Sequence, residues 1–302
     1  MIVTRRAEGL ALVTQVEHGR VAGELAAHWG NAVFEGPTPR ESVVMAARQH
    51  DEGWRAWDAR GLLNEVERRP LHFLEIDPDD HVRLYREGAE RVRLGDAYSG
   101  LLVGMHWTGL YRGRWRSPQS RGRLARNARD ESLLDRVVDE EEHRWVEAKK
   151  AAWTIEQPRA VFESTLWHHY ELLQLWDLLS LYLCVMPQHP SPREGSPSRW
   201  GPQLSSLVHP PEAVLLPSVR TSTFGEAVVL RATVVAPTTL VVDPWPFGTP
   251  ALTVEVEQSI VPDVEYRDSQ AALRVIADGR SQALTWTLRS PGTPTREEDP
   301  DG

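Results

Sequence analysis

The stretch LLQLWDLLSLYLC, from Leu172 to Cys184, decides how this chain is read. It is apolar nearly all round a helix, so it belongs in a core. Asp177 sits in its middle, with Leu173 and Leu181 at i−4 and i+4 and Gln174 and Ser180 at i−3 and i+3. A buried carboxylate costs several kcal/mol unless it is paired, hydrogen-bonded or bound to metal. Something must therefore face Asp177: an arginine, a Trp N–H or a cation. The apolar run, Leu172 to Met186, is too short to cross a membrane, which takes about 20 residues.

Working outward, the preceding chain reads as helices. Thr14-Gln-Val-Glu17 fits a capping box, followed by Val21, Leu25 and Trp29 at helical spacing. Thr38-Pro39-Arg40-Glu41 fits the same box and opens a helix running to His50-Asp51. Further helices are expected over 77–95, 97–110, 130–155 and from 158 to 186, the stretch that holds Asp177. Before them, MIVTRR and LALVTQ flank Glu8-Gly9 as a strand pair. After them, seven prolines between 187 and 211 read as a linker. Beyond it, VLLPSV, AVVLRATVV, TLVVD, LTVEVEQSIV, AALRVIA and ALTWTL read as strands.

The fold class is therefore mostly α with a small antiparallel β unit, which the N-terminal strand pair can join because two strands alone are marginal in water. The expected segments are 1–15, 16–186, 187–211, 212–290 and a polar tail, 291–302.

Candidate partners for Asp177 recur on core-facing positions. His18 shares a face with Val21, Ala22, Leu25 and Trp29; His50-Asp51 closes the second helix; His106 follows Leu102 by four residues. Imidazoles and carboxylates without thiolates suit zinc, iron or manganese. The single cysteine, Cys184, excludes an intramolecular disulfide and a Cys-rich zinc site.

The net charge of −9 disfavours a general nucleic-acid binder. No secretory signal or membrane span is read, so the cytoplasm is the default expectation. Ten of the twelve tryptophans lie between residues 29 and 200. They are expected to build the helical core, with an aromatic-walled pocket at Trp54, Trp57 and Trp107 as the alternative. Seven arginines between 112 and 129 form either a solvated loop or a phosphate-steering segment. Glu140-x-x-His143 is half of a di-iron motif, and no second pair completes it. His168-His169 is expected at the surface.

The order His18, then His50-Asp51, then Asp177 in WDLLSLYL resembles the HD superfamily of helical metal-dependent phosphohydrolases. The chain as a whole, through MIVTRR, HGRVAGELAAHWG, QHDEGWRAWD, GLLVGMHWTGLY, LLQLWDLLSLYLC and DPWPFG, resembles the domain of unknown function 3891 family. The resemblance implies an HD-like helical bundle with His18, His50, Asp51 and Asp177 as ligands of a divalent metal: manganese, zinc, iron or magnesium. Asp51 would stand where such enzymes place a bridging carboxylate. His106 would ligate a second ion or meet the substrate, and Asp51 and His106 are the catalytic candidates. The implied substrate is a small phosphate ester or anhydride, and self-association is compatible with the layout. The alternatives are a non-catalytic binding or regulatory protein on the same scaffold, and a di-iron oxygenase-like protein.

Overall fold

Thr14 ends the second strand and starts the first helix: its side chain accepts from the Glu17 amide, as the capping box requires. The computed structural model describes residues 1–6, 8–114, 124–186 and 213–292. The expected linker, and residues 293–302 of the tail, lie outside these. The helices are α1 (Gln15–His28), α2 (Arg40–Gln49), a short α3 (Arg55–Asp58), α4 (Pro78–Gly95), α5 (Ala97–Tyr111), α6 (Ala128–Ala152) and α7 (Arg159–Val185), with α8 (Ser269–Ala277) near the end of the chain. Asp77 and Pro78 start α4 as read, with Pro78 inside the first turn. The second box does not form. Helix α2 begins at Arg40 with Pro39 as its uncapped N-cap, and the Thr38 amide donates instead to His169 Nε2.

The β unit is larger than expected and not wholly antiparallel. Strands β1 (Ile2–Arg6), β2 (Gly9–Val13), β5 (Ala213–Leu215), β8 (Arg231–Ala236), β9 (Thr239–Asp243), β10 (Ala251–Val261) and β11 (Arg280–Arg289) make one seven-stranded sheet, ordered β1-β2-β10-β11-β9-β8-β5. Two further pairs, β3 (Leu63–Asn64) with β4 (Arg69–Pro70) and β6 (Val219–Arg220) with β7 (Ala227–Val228), stand apart from it. The N-terminal pair does join: β2 runs antiparallel to β10, with Ala11 opposite Ile260. β9 and β11 pair in parallel, which makes the sheet mixed. AALRVIA is helix, not strand. Asp268 caps α8 by accepting from the Ala271 amide, and the short apolar run has no periodicity long enough to separate the two.

Sheet and helices share one hydrophobic core, from Val21 and Leu25 through Leu175 and Trp176 to Val254 and Trp286. Each such residue contributes about 1.5–3 kcal/mol on full burial. Trp29 at the end of α1 meets Phe34, Trp176 and Phe247 edge-on, which gives DPWPFG its place against the helices. The C-terminal end of α7 is held by the sheet: Arg6 donates to the Met186 and Cys184 carbonyls, and Trp286 Nε1 donates to that of Leu183. The helix that carries Asp177 is thereby fixed along its axis.

Candidate metal centre

Four elements deliver the five candidate residues to one point. Helix α1 brings His18, α5 brings His106 and α7 brings Asp177. The doublet uses a break. Adjacent residues on a helix diverge by about 100° and cannot face one target. His50 is the C-cap of α2, and Asp51 has left helical geometry, at φ −108° and ψ 21°. Both side chains can then turn inward. Gly53 follows because a Cβ there would run into the Leu84 carbonyl oxygen of α4.

The donor atoms are close. Asp177 Oδ1 lies 2.9 Å from His18 Nε2 and 3.4 Å from His50 Nε2. The two Nε2 atoms are 3.2 Å apart. Asp51 Oδ2 is 3.6 Å from His50 Nε2 and 3.9 Å from His18 Nε2. His18, His50 and Asp51, and likewise His50, His106 and Asp177, form groups that could hold a metal ion. Asp177 is faced by imidazoles, and among the described residues no arginine pairs with it.

Proton bookkeeping sharpens this. His50 Nδ1 is 2.8 Å from the Ala47 carbonyl, which can only accept, so Nδ1 carries the proton and a neutral ring turns a bare Nε2 inward. Asp51 Oδ1 is buried with no hydrogen-bond partner among the described residues. Ligands about 2.0–2.2 Å from one ion lie about 3.0–3.5 Å apart for octahedral to tetrahedral arrangements. The separations among His18, His50 and Asp177, 2.9–3.4 Å, lie at or near that range and those of Asp51 from the two imidazoles, 3.6–3.9 Å, just beyond it, so the donor set suits a divalent cation.

Without a cation, protons do the neutralising. Burial alone would lower His50, but the Asp51 and Asp177 carboxylates outweigh it and push it up to about 9. Burial would raise Asp177, but hydrogen bonds from His18 and His50 hold it well below the usual carboxylate range. Burial pushes His106 down to about 4, so its ring is uncharged at neutral pH. The Asp177 side chain is 13% exposed, against 2% for His18 and 3% for Asp51, so the cluster meets the surface at Asp177.

Three contributors were not read as functional in the sequence. In the sequence Gln174 and Ser180 are only neighbours of Asp177 at i−3 and i+3. Gln174 Nε2 lies 2.9 Å from His106 Nδ1, and Ser180 Oγ lies 3.0 Å from His18 Nδ1. Tyr85, from α4, is buried beside His106. Burial first, then the charges of Asp51 and Asp177, raise its phenol well above the ordinary value. Only its place on an amphipathic face marks it in the sequence.

A comparison with family profiles matches residues 1–263 to one described as "Protein of unknown function (DUF3891)". The chain belongs to the DUF3891 family. No curated protein and no solved structure matches it. The matched span covers every residue of the cluster as well as DPWPFG.

The other sequence candidates go elsewhere. Trp54 and Trp107 are fully buried in the core and Trp57 nearly so, as the core reading expected. His168 and His169 are buried, not at the surface: His168 Nε2 is 3.0 Å from the Arg220 carbonyl, and His169 Nδ1 is 2.7 Å from the Tyr98 hydroxyl. Glu140 pairs with Arg86, while His143 Nδ1 bonds the Asp139 carbonyl. Of the arginine-rich segment, residues 115–123 lie outside the described part. Arg112 and Arg114 pair with Glu142, Arg126 with Asp77 and Arg129 with Asp79. No helix among the described residues is long and apolar enough to cross a membrane.

Proposed function

We propose that His18, His50, Asp51 and Asp177 bind one divalent cation and that the protein is a metal-dependent phosphohydrolase acting on a small phosphate ester or anhydride. One observation carries the reading: the His18 and His50 imidazoles, from separate helices, lie 2.9–3.9 Å from the Asp51 and Asp177 carboxylates inside an apolar core. The His, His-Asp, Asp order and the resemblance to HD phosphohydrolases support it. Two imidazoles favour zinc, manganese or iron over magnesium. Such an ion, when bound, lowers the pKa of a water and polarises a phosphoryl oxygen. The two carboxylates would offset its charge, the core limits access of bulk water, and His106, uncharged beside the ligands, would be the group that meets the substrate.

The test is hydrolysis of p-nitrophenyl phosphate and bis(p-nitrophenyl) phosphate by untagged protein loaded with Mn²⁺ or Zn²⁺. Turnover that disappears in Asp177→Asn supports the reading. Metal-loaded protein without turnover on either ester contradicts the hydrolase. The depth of the cluster favours a second reading in that event, a non-catalytic binding protein with a metal-clamped core. A di-iron site is disfavoured. His50 belongs to both ligand groups, but its Nδ1 is tied to Ala47, leaving one nitrogen for one ion.

A further inference from the structure

Helix α7 presents Gln174, Asp177 and Ser180 as an i, i+3, i+6 stripe on an otherwise apolar surface, and each meets a histidine from another helix. Ser180 is the member whose protons can be followed. Its Oγ lies 2.9 Å from the Asp177 backbone carbonyl, which can only accept, so the single hydroxyl proton points there. The same oxygen lies 3.0 Å from His18 Nδ1. With its proton committed, it can only accept from that nitrogen. His18 Nδ1 must then carry a hydrogen, so Nε2, which hydrogen-bonds Asp177 in the metal-free chain, is the nitrogen whose lone pair a cation would take. Nε2 is the atom 2.9 Å from Asp177 Oδ1 and 3.2 Å from His50 Nε2.

We infer that Ser180 is a positioning residue that holds His18 in the Nδ1–H tautomer and so aims its Nε2 lone pair at the cation. The inference rests on the metal reading for its purpose, though not for its geometry. Ser180 is fully buried, so water does not readily replace the lost hydroxyl. Outer partners of this kind typically change metal affinity roughly 10- to 100-fold when removed.

The test compares wild type, Ser180→Ala and Ser180→Thr. Long-range ¹H–¹⁵N NMR of the metal-free protein reads whether His18 Nδ1 carries a hydrogen, and competition with a chelating dye reads Mn²⁺ and Zn²⁺ affinity. In wild type His18 Nδ1 is expected to carry a hydrogen. In Ser180→Ala the tautomers mix and affinity falls roughly 10- to 100-fold, with the melting curve still cooperative. Ser180→Thr, which keeps the hydroxyl, restores both. An unchanged tautomer in Ser180→Ala overturns the inference. Wild type that binds neither ion overturns the metal reading while leaving the tautomer to decide the role of Ser180.

Discussion

At the residue scale, Asp177 is a carboxylate in apolar helix whose charge is answered by imidazoles from α1 and α2. Replacing it with asparagine keeps the shape and removes the charge. Metal affinity should fall at least roughly 100-fold in a dye competition while the circular dichroism spectrum stays unchanged, since losing a direct ligand costs more than losing an outer partner. The cluster also sets a pH dependence. His50 is raised from 6.5 to about 9, so in metal-free protein its contribution to stability is fully present below pH 6.5 and is lost as pH rises through 9. Asp177 is depressed, so its contribution is present above pH 3.8 and is lost as pH falls through its lower folded value. A proton on His50 competes with a cation, so Zn²⁺ affinity should climb between pH 6.5 and 9. Calorimetric titration across that window checks this; a flat or falling affinity contradicts it. The need for a partner at Asp177 was legible because charge in an apolar helix is visible in a sequence. The roles of Ser180 and Tyr85 were not, because a serine or tyrosine on a helix is explained equally well by packing.

At the element scale, α1 and α2 must lie close for His18 to meet His50. Gly19 and Gly23 make room. A Cβ on Gly19 would sit 2.7 Å from the Arg48 carbonyl oxygen, and one on Gly23 would sit 2.7 Å from Arg48 Cβ. Gly19→Ala must push backbone apart, at a cost of about 1–3 kcal/mol of stability. It should also weaken metal binding, because the two imidazoles separate. Chemical denaturation and dye competition on the same variant measure both; normal affinity despite the lost stability would detach the site from this contact. Helix periods and the Thr14 and Asp77 caps were readable because they are local chemistry. Residues 271–277 read as a strand in the sequence because seven residues do not discriminate two periods, and Asp268, the cap that decides, lies before the apolar run. The larger sheet was only half visible: its strands are local, but the parallel pairing of β9 with β11 depends on what each strand meets after the chain has folded back.

At the scale of the whole molecule, sheet and helices bury one another. Arg6 and Trp286 hold the end of α7, and Trp29, Trp176 and Phe247 join DPWPFG to the helices. The described chain should unfold as one unit. Differential scanning calorimetry of metal-free protein should give a single transition with matching calorimetric and van't Hoff enthalpies; two resolved transitions would separate sheet from helices. Added Zn²⁺ should raise the midpoint by mass action, since only the folded chain assembles the four donors. Those donors are expected to grip a single ion. Elemental analysis of untagged protein, equilibrated with Zn²⁺ or Mn²⁺ and desalted, decides it: one ion per chain in wild type and none in Asp177→Asn is the expected result, whereas a metal-free wild type, or equal loading of the two proteins, would rule the site out.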